Sequence, residues 1–174
     1  VLTLSVRARH PGTGSELRVG RMVAMAGAVR PVHIDGARAM VRAGGFTTVE
    51  GFAGVPVVPS FGWKDFDWVV AGRVAETAGD VATVGGSYAL RKRMGSFDDE
   101  EVGADFAFTP ARWLTAAGRS AFDLTTRSPT DALASVSAQK DDVRGELFVT
   151  HRSPGRLLPK TSLFSVLGDV PATT

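Results

Sequence analysis

Val1-Leu2-Thr3-Leu4-Ser5-Val6 alternates apolar and polar residues, the two-residue period of a strand. His10-Pro11-Gly12-Thr13-Gly14 then reads as a turn. Between Leu17 and Ala28 the run Met22-Val23-Ala24-Met25-Ala26 is apolar throughout, which predicts a strand buried on both faces, broken by Gly27–Pro31. Asp35 is placed to cap a helix whose face is Ala37, Met40 and Val41, stopping at Gly44-Gly45. Phe46–Phe52 returns to strand composition, and Pro56 and Pro59 enforce a loop carrying Phe61 and Trp63. Trp68, Val69, Ala71, Gly72 and Ala75 predict a helix within Asp65–Ala78, ended by Gly79. Asp80–Val84 reads as a short buried strand and Tyr88–Met94 as a short helix, with the acidic stretch after it as a loop. Phe106–Phe108, Phe122–Thr126 and Glu146–Thr150 predict further strands, and Ser162–Leu167 a last helix.

Strands alternating with helical patterns favour an α/β fold, an open and mostly parallel sheet with helices on both faces. The alternative is an all-β jelly roll or sandwich, kept open by abundant Val and Thr. With 174 residues, no internal repeat and no low-complexity linker, residues 1–174 are expected to form one globular domain. No apolar run approaches 18 residues, so no spanning helix is expected. The chain begins at Val1, which leaves a leader or a longer N-terminus open.

Composition changes this picture in two places. The absence of Cys removes disulfides, thiolate nucleophiles and every zinc site that needs Cys. The chain has no Asn, a single Ile and only four Lys, with Arg, Ala, Gly and Val in their place, the usage expected of GC-rich coding. Arg over Lys therefore says little about phosphate binding. Seven Arg face two acids before residue 50, but they are scattered and without interleaved aromatics, so a solvated surface is expected rather than nucleic-acid binding. His10, His33 and Asp35 form no known ligand pattern, and Asp98–Glu101 lacks the spaced oxygens of a calcium loop, so no metal or other cofactor is expected. Trp63, Phe66 and Trp68 read as core or pocket wall.

The sharpest local signal is Gly85-Gly86-Ser87-Tyr88-Ala89 after a buried strand. Small residues two before and two after a Ser let the backbone make a tight strand-to-helix turn. The segment resembles the nucleophile elbow of the α/β-hydrolase family, in the variant with Ala for the last Gly. The resemblance, in element order from about Val19 to Leu167, implies a minimal, lidless esterase acting on a small acyl substrate. It implies Ser87 as nucleophile, His151 as general base and Asp131 as the acid orienting it. The oxyanion hole would use the backbone N–H groups of Tyr88 and Ala28. Asp123, Asp141 and Asp142 are rival acids.

Each residue also has a plain structural reading: Ser87 as a turn residue, His151 as a surface histidine, Asp131 as a helix cap. The competing function is a self-assembling structural subunit, such as a viral coat or phage particle protein, without catalysis. Gly145–Arg152 is similar to the last strand of several small icosahedral coat proteins. That reading implies homo-oligomers and location in a virion; the hydrolase reading leaves the compartment open. A third possibility is a catalytically dead α/β scaffold used for binding.

Overall fold

The computed structural model describes residues 3–57, 67–93 and 96–153. They form ten strands: β1 (Leu4–Arg9), β2 (Glu16–Ala24), β3 (Val32–Ala43), β4 (Thr47–Pro56), β5 (Trp68–Ala78), β6 (Ala82–Arg93), β7 (Ser96–Ala111), β8 (Leu114–Asp123), β9 (Ser128–Lys140) and β10 (Val143–Arg152). Every strand pairs antiparallel with its neighbours in sequence, giving one sheet in the order β1 to β10. Among the described residues there is no helix.

This overturns the α/β expectation and, with it, the likeness to the α/β hydrolases; the all-β alternative fits. The expected helix after Asp35 is β3, that of Asp65–Ala78 is β5 from Trp68 onward, and that of Tyr88–Met94 continues β6. The acidic stretch expected as a loop lies in β7. The last expected helix, Ser162–Leu167, lies outside the described residues, as do Phe61, Trp63 and Phe66. The cause of the misreading is small residues. Gly36, Arg38 and Met40 share one side of β3, while Asp35, Ala37, Ala39 and Val41 share the other. Ala and Gly fit a three-and-four spacing as readily as a spacing of two, so the period is ambiguous wherever they dominate.

The strands are inclined. From β3 onward the turns at one end are short: 44–46, 79–81, 112–113 and 141–142. Followed along the pairing, each of these turns reaches beyond the one before. Ala43 stands three residues past Met40, the partner of Glu16, and Ala78 two past Glu76, the partner of Thr47. Ala111 stands three past Phe108, the partner of Ala82, and Lys140 two past Ala138, the partner of Leu114. From β2 to β10 the stagger is therefore about ten residues, or roughly 33 Å, against eight strand spacings of roughly 38 Å. The resulting inclination is about 40°, inside the range of about 35–45° that strands adopt when a sheet curls into a barrel wall.

The curl shows in the burial. Met22, Ile34, Phe52, Val69 and Ala71 all lie on one face and are at most 4% exposed. A flat, bare sheet would leave them open; a concave one, with Ala26 and Val29 of the β2–β3 connection packed among them, covers them. Gly36 and Gly54 oppose each other there, and a Cβ on Gly36 would sit 2.1 Å from the Ala53 carbonyl oxygen. Close strand approach at this point requires glycine.

Candidate functional site

The concave face carries charge. On β3, Arg38 donates to Glu50 of β4 at 2.6 Å. Glu50 also lies 3.5 Å from Arg73 of β5. Arg73 reaches over β6 to chelate Asp105 of β7, its Nε donating to Oδ1 at 2.9 Å and its terminal NH2 to Oδ2. Gly85 makes that reach possible, because a Cβ there would lie 2.8 Å from the Arg73 guanidinium. Asp105 opposes Arg119 of β8, which in turn donates to Asp131 of β9 at 3.3 Å. Positive and negative side chains thus alternate along one row. From Arg38 to Arg119 its members stand three to six residues from the short-turn ends, so the row keeps a nearly constant depth in the inclined sheet.

The convex face is the reverse. Val74 (53% exposed), Val84 (61%), Phe106 (46%) and Leu147 (66%) point outward, interleaved with Gly and Ala. Charged and titratable outward side chains gather at strand ends: Glu76, Lys92, Glu100, Lys140, His33 and His151. Between such ends, β6 presents Val84, Gly86, Tyr88 and Leu90, and β7 presents Val102, Ala104, Phe106 and Phe108. Tyr88 directs its hydroxyl to Glu100 at 2.7 Å, at the margin of this belt. One ion pair stands apart on the outer face, Arg21 with Asp35, joined by two hydrogen bonds of 2.7 and 2.6 Å. Phe106 lies over Gly118, whose missing side chain gives the ring its place.

The segment between β2 and β3 does not project outward. Ala26, Ala28 and Val29 are buried, at 0%, 4% and 1% exposed. The Ala28 N–H donates to Ser87 Oγ at 3.3 Å, and the Arg30 N–H to Glu101 at 3.2 Å. Arg30 also lies 3.3 Å from Glu101 and 3.4 Å from Asp99 through its side chain. Glu101 further accepts from the Thr130 hydroxyl at 3.0 Å. No protein-family model matches this chain, nor does any curated protein or solved structure.

The residues singled out in the sequence are distributed as follows. Ser87 stands in the middle of β6 on the concave face, not on a strand-to-helix turn. Ala28 is brought to it, and its N–H is bonded to the Ser87 hydroxyl itself. Tyr88 points to the opposite, convex face, as does His151 on β10. His151 and Ser87 are thus separated by three strands and by the thickness of the sheet. Asp131 belongs to the charged row through Arg119. Asp123 accepts from the N–H groups of Thr125 and Thr126 and so shapes a turn, while Asp141 and Asp142 form another. With Ser87 inside a strand, the fold has no counterpart of the nucleophile elbow.

Among the described residues no three His, Asp or Glu side chains gather to hold a metal, and no helix is long and apolar enough to cross a membrane. The second statement does not concern strands. The charged row was missed by sequence reasoning, although it left a signal: Arg38, Glu50, Arg73 and Asp105 each have Val, Ala or Phe as an immediate neighbour.

Proposed function

We propose that this chain forms part of the wall of a membrane-spanning β-barrel, with the convex face toward lipid and the concave face toward a polar lumen. The observation that carries this is how the two faces differ: a row of ion pairs crosses the concave side beside the cluster of Met22, Ile34, Phe52 and Val69, while the exposed convex side is an apolar belt with one ion pair, Arg21–Asp35, within it. The belt runs across nine strand spacings, about 43 Å, interrupted at β2 and β3 by the Arg21–Asp35 pair, and about 20 Å along the strands, an area on the order of 800 Å². The largest apolar patch on a soluble monomer is typically about 300–600 Å². In hydrocarbon the same patch is at home. From Ala82 to Lys92 a strand of this inclination rises about 25 Å along the barrel axis, the height of the apolar band in outer-membrane-type barrels.

The architecture supports the reading in two further ways. Only helices and closed sheets satisfy every backbone group within hydrocarbon, and an up-and-down meander is the simplest sheet to close. β1 and β10 carry the two open edges, so closure pairs them with each other, with further strands or with a second copy. Of the two functions weighed from the sequence, the self-assembling structural subunit without catalysis suits this all-β sheet better than ester hydrolysis.

The test is insertion. Protein refolded from urea with phosphatidylcholine vesicles should co-float with them, resist protease along β2–β10 and migrate faster on unheated than on heated SDS gels. Protein that stays in the aqueous fraction as a folded β-sheet would refute the reading.

A further inference from the structure

We propose that Met25–Pro31 is a strut across the lumen that narrows the passage available to small hydrophilic solutes and hydrated ions. The inference rests on the barrel reading above. The strut leaves the wall at β2 and β3 and is anchored on β6 and β7, three strand spacings or roughly 14 Å away. A loop shaped only to join two strands would need no such reach, because Ala24 and Val32 already pair.

Both ends of the span are fitted to it. Gly27 has φ +55°, and a Cβ there would lie 2.6 Å from Arg73 Cδ and 2.7 Å from Asp105 Oδ1, so the strut presses against the charged row. A Cβ on Gly103 would lie 2.7 Å from Ser87 Oγ and 2.8 Å from Ala28 Cβ, so the wall is hollowed where the strut lands. Arg30, tied to Glu101 and Asp99, fixes the far side. Charges of both signs border the strut, which suits restriction by size more than selection by sign.

Single-channel recording in planar bilayers with potassium chloride tests this on the whole chain. Removing residues 26–29 leaves Met25, Arg30 and Pro31 to close the hairpin. The unitary conductance should then rise at least threefold over wild type. A second variant, Arg30→Cys, supplies the sole thiol of a cysteine-free chain. Labelling it with a negatively charged methanethiosulfonate should change the conductance by at least half. If both variants insert, conduct as wild type does and ignore the label, the strut is not the constriction and the barrel reading stands. If wild type itself neither co-floats with vesicles nor gives conductance steps, the barrel reading fails and takes the strut with it.

Discussion

A lysine placed at Val74 separates lipid from water on the convex face. Val74 lies in the middle of β5, points outward beside Val49 and Gly86, and is 53% exposed. If water bathes that face, Val74→Lys gives up little packing and the change stays within about 0.5 kcal/mol. If hydrocarbon does, a lysine near the midplane costs about 2–4 kcal/mol, which is roughly a 30- to 900-fold shift of the folding equilibrium. Val81, 46% exposed in the turn between β5 and β6, provides the control, because Val81→Lys stays at the aqueous rim in either case. Urea unfolding in phosphatidylcholine vesicles, followed by tryptophan fluorescence, reads both variants. Trp68, outward at the end of β5, reports the belt margin. Equal stabilities for Val74→Lys and Val81→Lys, both close to wild type, would refute the assignment of the convex face to lipid.

Three other outcomes follow from the geometry. Gly36→Ala drives a Cβ against the backbone of Ala53 and Gly54 rather than against a movable side chain, so it should cost about 2–3 kcal/mol in the same unfolding assay, more than Gly86→Ala, where the space is open. Arg73→Met leaves Asp105 and Glu50 facing each other without their shared cation and should cost about 2–3 kcal/mol; adding Asp105→Leu should recover part of it, seen as a non-additive double-mutant cycle. Ser87→Ala removes the acceptor of the buried Ala28 N–H, costing about 1–2 kcal/mol and accelerating hydrogen exchange at that amide.

Much of the strand content was legible in the sequence, and its organisation was not. Val1–Val6, Phe46–Phe52 and Glu146–Thr150 each fall on or across a real strand, because β-branched and aromatic residues alternate there without many small ones. β3, β5 and the second half of β6 carry Ala and Gly on both faces, outward at Ala37, Ala39 and Gly72 and inward at Gly36, Ala71, Ala75 and Ala89, and this blurs the two-residue period into a helical one. Met22–Ala26 reads as buried on both sides, yet Val23, on the convex face of β2, is 52% exposed. Apolarity marks removal from water, and a lipid-facing side chain satisfies that without being inside the protein. The same inversion hid the site: of the N-terminal arginines expected on a solvated surface, Arg7, Arg18 and Arg38 line the concave wall. Arg91-Lys92-Arg93, awkward for a helix packed on a sheet, belongs to the far end of a strand.

The contact between Ala28 and Ser87 also constrains how such a sheet changes size. In a meander every pairing is local, so a hairpin can be gained or lost by duplication or deletion while the remaining register survives. That freedom ends between β3 and β6. Loss of the β4–β5 hairpin would place the strut's origin beside its anchor, with nothing left to span, and would take away Arg73, one of the two side chains against which Gly27 packs. The strut is therefore a ruler: it fixes two strands between its ends, and variation in strand number is expected on the β8–β10 side.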